Sequence, residues 1–553
     1  MKNNKKKIAY ILLFLVVCLI PVLLMPWFGH QGAESASSVT KMPQLIKNGG
    51  FNWDYFDKAN SYFSENFAFR KNMVSMTGAV ERDLFQSSAQ DNVIVGKDGY
   101  LFYGSSADDY QGVNGLNSRQ LSNIAGNLSM LQSTLRSKGI DFEFTVAPNK
   151  NSLYGMYMPQ RYKADRADRN ITRLTPMLKE AGVNYVDLYK LFGGQKKVLY
   201  HKTDSHWNNR GADLVNRALL KNLGKSYTVY DQKKVNKRAD FQGDLFAMIC
   251  PAYKDGEIEY YFDTDKTYNY DTKINSTFDP LISTTNRAKT GSVVMFRDSF
   301  GNSLLPFTAA DYGSGYFSRS MPIDPDVAVT SKADSVIWEI VERNLFLVQE
   351  DAPVIASSRI SDDQVSNFFI PGYKGTIKAK KSHGYLRIKG NLDRSRSGNH
   401  TEAYILFTSG KTKYLFQAYG TNGSCKDGYG FDAYVDMTGL KTGNYDVELI
   451  SEDYGTRQHT RVSTACTVRN SDTRASKVTK AAGGTIAAKA AAEKLKGENI
   501  QKLIRKIGKP QSMTIGASCN DKYAEDGQYR WKNFTVYTHS NKKGGAQIID
   551  VVK

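Results

Sequence analysis

Asp204-Ser205-His206-Trp207 sets a carboxylate and an imidazole two residues apart, a spacing at which they can work as one acid–base unit. Much further along, Val293-Val294-Met295-Phe296-Arg297-Asp298-Ser299-Phe300-Gly301 reads as a buried strand running into a turn that carries a serine. A strand-to-helix turn is where a nucleophile stands exposed. Together the two segments supply Ser299, His206 and Asp204, the parts of a nucleophilic acyl-transfer site. That chemistry asks for no cofactor and no metal.

Each residue also has a plainer reading. Ser299 or Asp298 can cap the helix expected from about Phe300, and Asp204 can cap the helix after Asn208. A histidine beside a tryptophan can be a packing pair. His201, Asp204 and His206 can be read as zinc ligands, but the spacing matches no closed structural site and no cysteine is near. Trp207 either walls off water or packs.

These residues need a scaffold, and the chain alternates strands with helices. Strands are expected at 140–147, 183–188, 292–296 and 335–341. Helical spacing covers 117–138 (Leu121, Ile124, Leu128, Leu131, Leu135), 171–181 and 210–223. This pattern predicts a parallel α/β sheet with flanking helices. Ligands of such sheets bind at the carboxyl ends of the strands. The loops there hold Pro148-Asn149-Lys150, Asp298-Ser299 and Glu342-Arg343-Asn344. Lys150 and Arg343 either hold an anionic substrate or structure their loops.

Upstream, 53–90 reads as helical, and Val93 to Phe102 as two short strands joined at Lys97-Asp98-Gly99. Beyond 356 the chain turns β-rich, with short strands near 385–388, 403–408, 414–419, 445–450 and 461–468 at sandwich-like spacing. Tyr404, Tyr414 and Tyr419 offer either a sugar-stacking face or core residues. A Ser/Thr/Ala/Gly/Lys linker covers 471–486, then a basic amphipathic helix over 487–507 and three strand-like pieces. The expected divisions are an anchor at 1–29, a stalk at 30–50, an α/β catalytic domain at 51–355, a β-sandwich at 356–470, the linker, and a small basic α+β domain at 487–553.

Lys2, Lys5, Lys6 and Lys7 precede an uncharged apolar run from Ile8 to Gly29, long enough to cross a bilayer as a transmembrane helix. The lysines then stay cytoplasmic and the rest is extracytoplasmic. The rival is a cleaved signal peptide with its site in 33–36. Five cysteines among 553 residues make no disulfide framework; the alternatives are one bridge, Cys425 to Cys466, or none. The formal net charge is +19. On an exported protein this faces anionic wall polymer, headgroups or polysaccharide, and nucleic acid is not an expected partner.

The Asp-x-His-Trp element ahead of an Asp-Ser-Phe turn resembles the SGNH-hydrolase-like proteins that O-acetylate bacterial exopolysaccharides, including the alginate O-acetylation proteins and the DHHW family. Phe67-Ala68-Phe69-Arg70, Gly96 to Phe102, Ala147-Pro148-Asn149-Lys150, Tyr200 to Ala212 and Val341-Glu342-Arg343-Asn344 match in order, over roughly 50–350. The resemblance implies an SGNH-like fold with Ser299 as nucleophile, His206 as base and Asp204 as its partner. Where the family often has glycine before Asp-Ser, this chain has Arg297, which crowds the turn or adds a cation. Asn149, Lys150, Trp207, Arg297 and Arg343 are the candidate substrate contacts. The resemblance also implies a polysaccharide acceptor and a membrane-bound O-acyltransferase that supplies acetyl groups. An esterase with the same triad, and a non-catalytic polysaccharide-binding scaffold, are the competing readings.

Overall fold

The computed structural model describes residues 2–28, 42–469, 492 and 495–552, apart from 48, 165–167, 232–233, 265–266, 272–273, 275, 363–364, 511, 518–524, 532–533 and 541–545. The linker at 471–486 and most of the stalk lie outside these residues.

A seven-stranded sheet organises the first large unit. Its order is Tyr185–Val186, Asp141–Ala147, Ser335–Val341, Ser292–Phe296, Ser314–Ser318, Leu281–Thr285 and Asn269–Tyr270. The first five strands run parallel, and Leu281–Thr285 pairs antiparallel. The central strands are rich in Val, Ile and Phe, as burial on both faces requires, with Glu143 and Glu339 buried among them. One apolar cluster packs beneath the Ser118–Arg136 and Asn170–Glu180 helices; another packs beneath Asn209–Asn222 and Gly301–Asp311. Leu121, Ile124, Leu128, Leu131 and Leu135 form the buried stripe of Ser118–Arg136. That helix starts at a capping box between Asn117 and Gln120.

The register aligns the strand ends. Phe296 lies beside Trp338, and Val341 beside Ala147. The loops carrying Asp298-Ser299, Glu342-Arg343 and Asn149-Lys150 therefore leave the sheet at one edge. Val93–Val95 and Leu101–Tyr103 form the expected hairpin, and 53–90 is two helices, Tyr55–Asn66 and Arg70–Phe85.

A β-sandwich follows. Its sheets have six strands (Arg359–Ile360 to Thr456–Val468) and four strands (Thr376–Ser382 to Gly430–Val435), sharing one apolar core. Sequence periodicity did not pick out Thr376–Ser382 or Gly430–Val435. Tyr404, Tyr414 and Tyr419 are buried, so they are core and not a sugar-stacking face. The last unit is a four-stranded antiparallel sheet with the helix Ile500–Ile507. That helix is shorter than expected, because a turn at 495–498 leads into the Asn499 cap. Of the three strand-like pieces after that helix, the one read at 529–538 is instead a hairpin of Glu525–Trp531 with Phe534–Ser540.

Cys250, Cys425 and Cys466 are free thiols, so no Cys425–Cys466 bridge exists. The amino-terminal apolar run does not form a single helix: Lys2–Leu23 contains the lysines and Pro21, and Met25–Phe28 follows separately. Among the described residues, no helix is long and apolar enough to cross a membrane.

Candidate active site

Ser299 stands in the turn between strand Ser292–Phe296 and helix Gly301–Asp311. The Asp298 carboxylate fixes this turn. It accepts from the Phe300 N–H at 2.9 Å and from the Val341 N–H at 2.7 Å, tying the turn to the neighbouring strand. Asp298 N–H donates to Glu339 at 3.2 Å. Burial, and then the charge of Asp298, push the Glu339 carboxyl above the usual range. A side chain at Gly301 would put a Cβ 2.5 Å from Arg297 Cβ, so this tight turn needs glycine. Among the described residues no protein group accepts from the Ser299 N–H.

The second half is the loop before helix Asn209–Asn222. Asn208, not Asp204, caps that helix, accepting from the N–H groups of Arg210 and Gly211. Asp204 is therefore free to serve the imidazole. Its Oδ1 accepts from the His206 N–H at 2.8 Å and lies 2.7 Å from Nδ1; its Oδ2 accepts from the Asp244 N–H at 2.8 Å. The other ring nitrogen, Nε2, is 2.8 Å from Ser299 Oγ. His206 thus bridges a carboxylate and the turn serine, with its ring 4.7 Å from Phe300.

Burial opposes the His206 imidazolium, but the charge and hydrogen bond of Asp204, helped by Asp244, outweigh it and raise the pKa. Burial likewise opposes the Asp204 carboxylate. The charge of His206 and its hydrogen bond reverse that and hold Asp204 well below the usual range. Asp244, opening helix Asp244–Ile249, accepts from Ser205 Oγ at 2.6 Å and lies 3.6 Å from His206 Nδ1. Burial and the neighbouring Asp204 push it up to about 6.

At the rim, Arg343 stacks over Tyr103 and Phe300, 5.0 and 5.5 Å from their centroids. Its Nη1 donates to Asn149 Oδ1 at 3.3 Å, and Asn149 Nδ2 donates to Asp109 at 3.1 Å. A buried Asp109–Asn149 pair thus aims a cation toward the imidazole.

Residues 93–286 match the family described as SGNH hydrolase-like domain, acetyltransferase AlgX. Over that stretch the chain is similar to an SGNH hydrolase-like acetyltransferase domain. The matched stretch holds Asp204 and His206 and stops short of Ser299. Among solved structures, the O-acetyltransferase domain of Pseudomonas putida AlgJ is 16% identical, with 46% of this chain and 92% of that chain covered and a TM-score of 0.31. A DHHW family protein from Eubacterium siraeum is 17% identical, covering 40% and 86%, with a TM-score of 0.30. Pseudomonas aeruginosa AlgX is 11% identical, covering 67% and 90%, with a TM-score of 0.33. No curated protein matches the chain.

Within the seven-stranded α/β unit the candidate residues separate. Ser299, His206 and Asp204 come together, with Arg343 and Asn149 close by. Trp207 does not face a substrate: it is 1% exposed and packs edge-on against Phe300, Tyr200 and Phe192. Lys150 is also internal. Its Nζ donates to the carbonyls of His201, Lys202 and Asp204, so it builds the catalytic loop rather than binding an anion, and burial pulls it down to about 8. Arg297 turns away from the site, donating to Asn302 and to the carbonyls of Thr277 and Asp279.

His201 drops out of the metal set, because it faces Glu257 and Glu259. The ligand atoms of Asp204, His206 and Asp244 do lie within 4.8 Å of one another. A cation among them would displace the Nδ1 proton that Asp204 accepts. Sequence reasoning missed Asp244, which stands forty positions from Asp204 and belongs to no motif. It is delivered by the hairpin of Asn236–Phe241 and Glu257–Tyr261 that brackets its helix.

Proposed function

We propose that the protein is a membrane-anchored, extracytoplasmic O-acetyltransferase that acetylates hydroxyl groups of a cell-surface or exopolysaccharide through an acyl-enzyme on Ser299. The observation that carries this reading is His206, 2.7 Å from Asp204 on one ring nitrogen and 2.8 Å from Ser299 on the other. Ser299 Oγ attacks the acetyl carbonyl of an ester donor while its proton passes to His206 Nε2. The new Oγ–C bond replaces the donor's C–O bond, and the leaving alcohol takes the proton from His206. A sugar hydroxyl then gives its proton to His206 and attacks the acetyl carbon, and the proton returns to Ser299. Asp204 holds the imidazole in the tautomer with Nδ1 protonated. The Ser299 N–H is the first donor for the oxyanion, and Arg343 is the nearby cation for the developing charge or the substrate.

The Ile8 to Gly29 run supplies the anchor, and its uncharged length supports that reading. The resemblance to polysaccharide O-acetylation proteins supports a membrane-bound O-acyltransferase as the acetyl source. Incubation with p-nitrophenyl acetate should add one acetyl to the intact mass, absent from Ser299→Ala; an unchanged adduct in that variant removes Ser299 from the nucleophile role. Adding oligosaccharide should divert acetate from water to sugar, because a bound hydroxyl has a high effective concentration at the acyl-enzyme. Acetate released only to water, across a broad panel of exopolysaccharide fragments, would make the protein an esterase.

A further inference from the structure

The Arg70–Phe85 helix is built inside out. Its inward face is small and polar: Ser75 and Gly78 are buried, and a Cβ at Gly78 would lie 2.0 Å from the Ile249 carbonyl oxygen. That close crossing sets the helix directly behind Asp244–Ile249, the helix whose first residue holds Asp204. The apolar residues point the other way. Phe69, Met73, Met76, Val80 and Leu84 follow helical spacing along one stripe and are all exposed, Met76 at 60% and Leu84 at 73%. Trp53 at 86% and Phe56 at 69%, just upstream, are also exposed. An amphipathic helix normally turns such a stripe into the core, and exposed apolar patches of this kind mark contact surfaces.

The stripe begins where the amino-terminal apolar run ends. Phe28, at the end of the Met25–Phe28 helix, stacks on Phe69 with centroids 5.2 Å apart. If the run from Ile8 anchors the chain, Phe28 is at the outer bilayer surface, and the start of the stripe is held there too. The residues are of the kind that settle at an interface: tryptophan and phenylalanine at one end, long flexible Met, Val and Leu along the helix.

We propose that the outward stripe of the Arg70–Phe85 helix, with Trp53 and Phe56, lies in the headgroup region of the membrane and holds the catalytic unit against the lipid surface. The occupant of the face is lipid. The proposal rests on the anchor reading above, and it gives the anchored domain a fixed orientation. The surface contact then sits one helix behind Asp244 and the acid–base loop.

The test uses the full chain in phosphatidylglycerol–phosphatidylcholine vesicles, with Cys18, Cys425, Cys466 and Cys519 replaced by alanine. An environment-sensitive fluorophore is attached at Met76→Cys or, separately, at Leu84→Cys; Lys138→Cys, at an exposed position in the turn after the Ser118–Arg136 helix, is the control. Lipids brominated near the top of the acyl chains should quench both stripe labels at least about twofold and leave the control unchanged. Stripe labels that stay unquenched while alkaline carbonate leaves the chain in the vesicles would overturn the proposal and keep the anchor. Self-quenching relieved by unlabelled chain, without lipid quenching, would put a second copy on the face and also overturn it. Lipid quenching before the wash, with release by carbonate, would sustain the face and remove the anchor.

Discussion

As the proposed base, His206 works only when neutral, so its environment sets the pH at which acetyl transfer should proceed. Asp204 and Asp244 raise its pKa above the ordinary 6.5. The acetyl-transfer rate with an activated ester should therefore rise with pH through a midpoint above 6.5. Removing one anion weakens the imidazolium, so Asp244→Asn should move that midpoint to lower pH while Ser299 is still acetylated. An unmoved kcat/KM profile would show that Asp244 does not act on the imidazole. Asp204→Asn leaves the fold but favours the wrong tautomer, and it should lower kcat by roughly ten-thousandfold. If chelators abolish activity and zinc restores it, the Asp204, His206 and Asp244 cluster is a metal site.

One strap decides where these residues stand. The hairpin of Asn236–Phe241 and Glu257–Tyr261 grips the catalytic loop through His201, whose ring stacks on Phe241 at 3.9 Å. His201 Nε2 is 3.0 Å from Glu259, and Glu257 accepts from the N–H groups of Lys202 and Thr203. Burial opposes the His201 charge, but Glu257 and Glu259 outweigh it and lift its pKa from 6.5 to about 9. Burial opposes the Glu257 charge too, yet hydrogen bonds from His201 and Thr203 bring it from 4.5 to about 2. A raised pKa in the folded state stabilises fully below the unfolded value and is lost as pH rises through the folded one. The His201 contribution is thus complete below 6.5 and fades through about 9, while that of Glu257 is present above 4.5 and is lost toward about 2. His201→Gln should cost on the order of 3 kcal/mol near pH 6 and almost nothing at pH 10. Thermal melts across pH check this; an equal loss at both values would mean that the ring only packs.

Across the whole molecule, the Ser118–Arg136 helix joins the catalytic unit to the sandwich. Arg119 donates to the carbonyls of Gly428, Gly398 and Asn399 and lies over Tyr429. Asn123 donates to Gly428, and Asn127 exchanges two hydrogen bonds with Gly420. The sandwich is therefore fixed to the back of the sheet's helical layer. Breaking this seam leaves buried carbonyls unpaired, so Arg119→Met should destabilise by about 3 kcal/mol. The midpoint of the pH–rate profile should not move, because the triad is held elsewhere. A melt identical to that of the parent would mean that water replaces the guanidinium at no cost.

The strands at 141–147, 292–296 and 335–341 were legible because buried parallel strands are continuous apolar runs, and the helices because their apolar positions recur every three or four residues. Asp204, His206 and Ser299 were legible because their chemistry needs those residue types, two of them only two positions apart. The chain by itself thus determined the parallel sheet, the edge where its loops converge and three residues that meet there. Tertiary structure decided which neighbours face the site. Lys150, Trp207 and Arg297 look functional in sequence, but backbone carbonyls and ring edges meet them inside the protein. Asp244 looks ordinary, and the hairpin that brackets its helix carries it to an imidazole distant in the chain. The polar face of Ser118–Arg136 looks solvated, yet it is buried against the sandwich, while the apolar stripe of Arg70–Phe85 looks internal and is exposed. Periodicity reports that a helix has two faces; which face is covered depends on what packs there, and that is settled only by contacts between residues distant in the chain.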